Sequence, residues 1–276
     1  TDKLNISLVK AFGIIEFLAR YGAPINAAAI SQKLQYNKAT TYSLLRTLEE
    51  LQYVSRDSDG CYNLSSKILE IGSLYNASNS LVQVFNLCCD TMLQKYPNCN
   101  FSLGDLGTSM KGIYLSILGS NESFVSVGTA FPLHATAVGK IILANSSDEF
   151  QDEFFKTATL TRYTNSTITD ETSLREELKH IRQDGYCILH GELFPNFHCI
   201  SVPIFASGHT LNGGISVRST EQFIAEHKEA LISDMLILSR NISSGLGYRI
   251  ELTPPYANKR LMKSTFTLFI SLLLFH

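Results

Sequence analysis

Residues 26–51 read NAAAISQKLQYNKATTYSLLRTLEEL, two short helical patterns on either side of a tight polar break. In the first, Asn26 can cap the helix through its side-chain oxygen, and Ile25 before the cap can close on Ile30 as a hydrophobic staple. In the second, Asn37 is the cap candidate. Thr41, Leu44, Leu45 and Leu48 then recur at helical spacing as one stripe that must pack inward. The opposite face carries Lys38, Thr40, Tyr42, Ser43 and Arg46, short polar donors and cations able to reach base edges and phosphates from a helix in the major groove. Between Glu16 and Glu49 lie Arg20, Lys33, Lys38 and Arg46 and not one acid. In a chain of net charge -2 this local excess matters, because phosphate binding needs positive charge where the DNA lies, not a basic total. The pattern predicts a helix-turn-helix; by itself it also fits a helical hairpin with a solvated polar face.

The flanking residues favour the first reading. Residues 53–56 and 61–64 read as strands joined by Asp57-Ser58-Asp59-Gly60, with Asp-Gly as the turn dipeptide. A helix-turn-helix followed by a hairpin is a winged helix. Residues 8–18 supply its third helix, with Leu8, Phe12, Ile15 and Leu18 or Ala19 expected to face inward, and Pro24 breaks the pattern. The candidate DNA contacts are Asn37, Lys38, Thr40, Tyr42, Ser43 and Arg46 of the second helix and Arg56 of the wing.

A length of 276 residues, 45% of them hydrophobic, is enough for about two domains. The expected division is a winged helix over 1–64, a linker helix over 65–80, a second domain over 81–252 and an atypical tail over 253–276. Apolar residues fall on more than one side of the linker, which suits contact with a partner chain. No charged n-region and apolar h-region stand at the N-terminus, so a cytoplasmic protein is expected. Cys61, Cys88, Cys89, Cys99, Cys187 and Cys199 show no CxxC spacing and no His-rich companion, so reduced thiols are expected, with no metal, cofactor or disulfide framework.

In the second domain, residues 81–96 form a helix stopped by Pro97, and residues 99–106 and 112–118 two strands joined by Gly-Thr-Ser. A short strand is expected over 123–128 and a helix over 135–144. Ser146 with Glu149 forms a capping box for the next helix, and Thr169 caps the one after, whose Leu174, Leu178 and Ile181 face inward. Strands follow over 186–190, 199–205 and 213–218, then one long closing helix over 222–246. Strands in series, with helices not strictly interleaved, predict an α+β domain on a mostly antiparallel sheet.

Four segments occur in an informative order: FPLHATAVGK (131–140), YT…TIT (163–169), IRQDGY (181–186) and CISVPIF (199–205). With the winged helix, they resemble the signature blocks of the IclR family of bacterial transcriptional regulators over about residues 5–250. The resemblance implies a dimer or dimer of dimers on double-stranded operator DNA, and a GAF-like domain that senses a small organic acid, sugar acid or aromatic catabolite. It places Ala137 and Val138 at the pocket wall, Cys199 at the start of the CxxVPIF block and Ser216 in the last strand. Two positions depart from the family. Leu189 stands where an aspartate is frequent, with His190 beside it, and Arg218 replaces a second pocket serine. The family's frequent recognition-helix arginine falls at Ser43, with Arg46 three residues on.

Plainer roles exist for each. His134 suits a structural hydrogen-bonding histidine, Cys199 a small buried hydrophobe, and Arg218 an exposed sheet position; in a pocket, however, its guanidinium would grip a carboxylate through two parallel hydrogen bonds. With no acid at Leu189, a neutral pocket holding Arg218 favours a small carboxylate or sugar acid. The expected function is thus a regulator, in the repressor sense, and not an enzyme. The alternatives are a cysteine enzyme using Cys199 with His198 or His134, and a redox or metal sensor built on Cys187 and Cys199.

Pro254 and Pro255 end the last helix, and the uncharged run from Ser264 spans about 13 residues where a membrane-spanning helix needs roughly 20, so no membrane anchor is expected. Truncation after Leu252 is expected to leave DNA binding intact and to raise solubility, because an exposed apolar tail promotes association. A truncated chain that no longer folds or self-associates in sedimentation would contradict this.

Overall fold

The computed structural model describes residues 4–119 and 125–248; the tail expected over 253–276 lies outside the described residues. The chain divides into two compact units, Thr1–Ser78 and Asn79–His276.

In the first unit, α1 (Ile6–Tyr21) starts at Asn5, whose side chain accepts from the Ser7 and Leu8 N–H groups, and ends at Gly22 in the left-handed conformation. A short strand, β1 (Ile25–Asn26), leads into α2 (Ala27–Leu34). Asn26 caps α2 by accepting from the Ala29 N–H at 2.9 Å, and Ile25 and Ile30 are both buried beside the cap, as a staple requires. The Ser31 hydroxyl donates to the Tyr36 carbonyl at 2.7 Å and closes the turn into α3 (Lys38–Glu50). Strands β2 (Val54–Arg56) and β3 (Cys61–Leu64) form the wing, and β1 adds to it in the antiparallel order β1-β3-β2. Ile14, Leu18, Ile30, Leu45, Leu48, Val54 and Tyr62 share one core.

The inward face of α1 differs from the expected one. Leu8 and Phe12 are 57% and 61% exposed, while Ile14 and Leu18 are buried and Ala11 and Ile15 pack against them. This helix has apolar residues on two sides, so periodicity admits either face; packing against α3 and β3 selects the one centred on Ile14. The unit ends in α4 (Lys67–Ser78), which has no buried residue and exposes Leu69, Leu74 and Tyr75.

The second unit opens with α5 (Ser80–Lys95), followed by β4 (Asn100–Leu106), β5 (Lys111–Gly119) and β6 (Ala130–Pro132). Helices α6 (Ala137–Asn145), α7 (Asp148–Thr157) and α8 (Glu171–Asp184) come next, then β7 (Cys187–His190), β8 (His198–Phe205) and β9 (Leu211–Ser219). Helices α9 (Glu221–Glu226) and α10 (Lys228–Gly245) close the unit. The strands form one sheet in the order β6-β5-β4-β9-β8-β7, with all neighbours antiparallel among the described residues. Because strand side chains alternate, Phe101, Leu103, Ile200, Val202, Ile215 and Val217 face α5 and α10, while Leu189 and Cys199 face the core under α6 and α8. Among the described residues, no helix is long and apolar enough to cross a membrane.

Four local expectations are corrected. Of the strand expected over 123–128, residues 123–124 lie outside the described residues and 125–128 form no strand; the short strand lies at Ala130–Pro132, because Gly128 takes a left-handed turn and the ladder with β5 begins only after it. Helix α7 is capped by Ser147, which accepts from the Phe150 N–H at 3.2 Å, while the Ser146 hydroxyl donates back to Ile142 in the preceding helix. Helix α8 is capped by Asp170 and not by Thr169, which accepts from Arg162 instead. In both places neighbouring residues have equal capping chemistry, and the chain's exit from the previous element decides between them. The closing helix breaks at His227, whose ring stacks on Phe223 at 4.1 Å between centroids.

Helix α6 lies close to the sheet because β4 and β9 carry glycines beneath it. A Cβ on Gly104 would stand 2.7 Å from Val138 Cγ1 and 2.9 Å from Phe131 Cζ, and one on Gly214 would stand 3.1 Å from Ile141 Cγ2. Gly104→Ala is therefore expected to destabilise the chain by about 1–3 kcal/mol through overpacking. Urea denaturation measures this; a loss under about 0.5 kcal/mol would mean that α6 yields freely.

Candidate functional site

The first site is the outer face of α3. Thr41, Leu45 and Leu48 are buried, which turns Lys38, Tyr42, Ser43 and Arg46 to solvent and leaves Thr40 half-buried. Tyr42 is 51% exposed, so its ring and hydroxyl are open to a partner. The Asn37 side-chain oxygen accepts from the Ala39 N–H at 2.9 Å, so its carbonyl serves the helix cap and its amide N–H groups face outward chemistry. In the wing, Asp57 accepts from the Asp59 and Cys61 N–H groups and shapes the turn. Arg56 lies 5.6 Å from the Tyr62 ring centroid and donates to the Gly60 carbonyl, so the wing holds this cation's stem in place. Among the described residues, Lys38, Arg46 and Arg56 take part in no ion pair, so their charge is not neutralised locally.

The second site lies on the α6 face of the large sheet. Leu189, Cys199, Arg218 and Asn100 are register partners across β7, β8, β9 and β4, and Cys187, Ser201, Ser216 and Ser102 form the next rung. Ser216 and Arg218 line a cavity together with Asn100, Ser102, Tyr114, Ile117, Val125 and Phe197. Its volume is about 10 Å³, room for one water molecule. Ala137, Val138, Leu189 and Cys199 share this face but pack in the apolar core beside the cavity rather than in its lining. The lining residues that sequence reasoning did not single out are Asn100, Ser102, Tyr114, Ile117, Val125 and Phe197. Ser102 had a signal: it is the polar alternate of Phe101 and Leu103 in a strand, on the face opposite their core.

Within the cavity the Ser102 and Ser216 hydroxyls are 3.0 Å apart, and the Arg218 guanidinium stands 5.0 Å from the Phe197 ring centroid. Burial pushes the Tyr114 hydroxyl pKa up, against the opposing pull of Arg218. Burial likewise raises the Cys199 thiol to about 12 despite the same arginine, and raises that of Cys187. Both thiols are therefore protonated near neutral pH, without the thiolate that a nucleophile or redox sensor needs. His198 cannot activate Cys199, since adjacent strand residues point to opposite faces. His134 is buried, bonds through Nε2 to the Thr161 carbonyl at 2.9 Å, and has its pKa lowered chiefly by that burial.

Lys140, fully buried on α6, ties this face together. Its Nζ contacts Glu177 of α8 at 2.9 Å and Glu192 at 2.5 Å. Burial disfavours its charge, but the two carboxylates prevail and hold its pKa above the ordinary lysine value. Thr164 donates to the Gly191 carbonyl and Thr167 to that of Glu192. These contacts clamp the start of the segment 191–197, whose last residue is the Phe197 that lies against Arg218.

The family model for the IclR helix-turn-helix domain matches residues 7–58, covering nearly all of α1, the two following helices and the first strand of the wing, and that for the bacterial transcriptional regulator IclR C-terminal region matches residues 120–244. The chain belongs to the IclR family of bacterial transcriptional regulators. The HTH-type transcriptional regulator KdgR of Dickeya chrysanthemi is 27% identical over 249 residues, 88% of this chain and 80% of that protein. The HTH-type transcriptional repressor AllR of Salmonella typhi is 26% identical over 265 residues, 91% of this chain and 92% of that one. The crystal structure of Thermotoga maritima IclR matches with a TM-score of 0.67 at 27% identity, over 88% of this chain and 99% of that one. As an IclR-family member the chain is a DNA-binding transcriptional regulator and not an enzyme.

Proposed function

We propose that this IclR-family chain is a repressor whose operator binding is modulated by a small organic acid or sugar acid. The observation that carries the effector reading is the make-up of the cavity: among the described residues its lining has one cation, Arg218, no acid, and the neutral polar groups of Asn100, Ser102, Tyr114 and Ser216. A guanidinium suits a carboxylate, and hydroxyls and an amide suit the hydroxyl groups of a sugar acid. A space for one water cannot hold such a ligand, so binding requires Phe197 and its neighbours to move; a ligand that binds only the opened state shifts the protein toward it. The repressor sense follows the relative named as one. Exposed apolar residues on α1 and α4, among them Leu8, Phe12, Leu69 and Leu74, support self-association as a dimer or dimer of dimers in the cytoplasm.

On this reading Lys38, Tyr42, Ser43 and Arg46, with Asn37, Thr40 and the wing's Arg56, meet the duplex. Lys38→Ala is expected to weaken all sequences alike and to shallow the salt dependence by about one unit, as loss of a phosphate contact does. Arg46→Ala is expected to lose discrimination worth roughly 1–3 kcal/mol at one base pair. Gel-shift titrations at several salt concentrations separate the two; unchanged affinity in both variants, with native circular dichroism, would count against the interface.

Arg218→Ala is expected to abolish the response to the acid while leaving operator affinity without it nearly unchanged, because coupling requires differential contact with the two states. Cys199→Ser, outside the cavity lining, is expected to do less. Calorimetry with a panel of organic and sugar acids is the measurement, and an acid bound equally well by Arg218→Ala would remove the charge argument.

A further inference from the structure

His190 and His198 stand directly opposite one another as the outermost pair of the β7–β8 ladder. The next bond outward runs from the Gly191 N–H to the Phe197 carbonyl at 3.0 Å, which makes the histidines a non-hydrogen-bonded pair, the kind in which side chains approach most closely. Their Nδ1 atoms are 3.4 Å apart. Two nitrogens held at 2.0–2.1 Å from a tetrahedral zinc ion are themselves about 3.3–3.4 Å apart, so the pair already spans an edge of that tetrahedron. A carboxylate flanks the other side of one ring: Glu221 Oε2 lies 3.9 Å from His198 Nε2. A carboxylate there favours a proton on Nε2 and leaves the Nδ1 lone pair for a ligand bond, as outer carboxylates do for metal-bound histidines.

We propose that His190 and His198 bind a divalent transition-metal ion of the zinc class through their Nδ1 atoms, with Glu221 as the orienting carboxylate. Among the described residues no third imidazole, thiol or carboxylate completes a cluster, so water fills the remaining positions. In the metal-free pair one Nδ1 donates its proton to the other. On binding, that proton passes through solvent to the Nε2 of the same ring, and both Nδ1 lone pairs go to the ion. His190 is exposed, which gives the ion a path in, while His198 is buried and fixed. The site is separate from the effector cavity, since Leu189 and Cys199 beside the histidines point to the opposite face of the sheet. It nonetheless bridges the neck of the segment 191–197, the one that ends in Phe197 against Arg218.

Zn²⁺ alone, titrated into the full chain in competition with a chromophoric chelator, is expected to show saturable uptake of one ion per chain. His190→Ala, at an exposed position, is expected to weaken uptake at least about ten-fold with unchanged circular dichroism, and Glu221→Gln by up to about ten-fold. Co²⁺ in place of Zn²⁺ is expected to give a spectrum without thiolate-to-metal absorption. Equal uptake by wild type and His190→Ala, a thiolate band, or no saturable uptake would each overturn the assignment.

Discussion

A positive charge with no access to water sits at the centre of the second unit. Removing an ammonium from solvent costs several kcal/mol even after relaxation, so Lys140 is tolerated only because Glu177 and Glu192 meet it from two different elements. That requirement joins α6 to α8 and to the segment after β7. The carbonyls of that segment are in turn held by Thr164 and Thr167. Three parts of the chain are thereby brought to one cation, with a fourth holding the last of them in place, and the side of the sheet that bears the cavity takes its shape from them.

The same face shows how a sheet can carry a polar site without losing its core. Alternation sends Phe101, Leu103, Ile215 and Val217 to the side covered by α5 and α10, which leaves Asn100, Ser102, Ser216 and Arg218 together on the other. Glycines at 104 and 214 let α6 settle on the sheet, so the polar rungs are enclosed rather than open to solvent. Enclosure strengthens any charge contact made there. Phe197 supplies a π-face to Arg218 at the distance of an ordinary cation–π contact.

In the DNA-binding unit the decisive contacts are short-range. Asn5, Asn26 and Asn37 each cap a helix through their own side-chain oxygens, and Ser31 closes the turn between α2 and α3. These bonds set the angle between the two helices before any partner is present. The cations on the outer face are held away from acids, so the local field stays positive although the whole chain is slightly acidic.

Much of this was legible in residues 26–64, because a winged helix is written in local chemistry: caps, an apolar stripe at helical spacing and an Asp-Gly turn all act within a few residues. The α+β class and the inward face of α8, with Leu174, Leu178 and Ile181, were legible for the same reason. Local signals were insufficient where the chain offered two equivalent choices, as at Ser146 and Ser147, at Thr169 and Asp170, and on the two apolar sides of α1. Only tertiary packing decided those. It also decided the cavity lining, since Asn100, Ser102, Tyr114 and Phe197 meet Ser216 and Arg218 through cross-strand register and one loop, and neither leaves a periodic trace in a single sequence. Lys140 stood in a block that the sequence singled out, but its partners Glu177 and Glu192 are 37 and 52 residues away; the order of residues specified the charge, and the fold alone specified what would neutralise it.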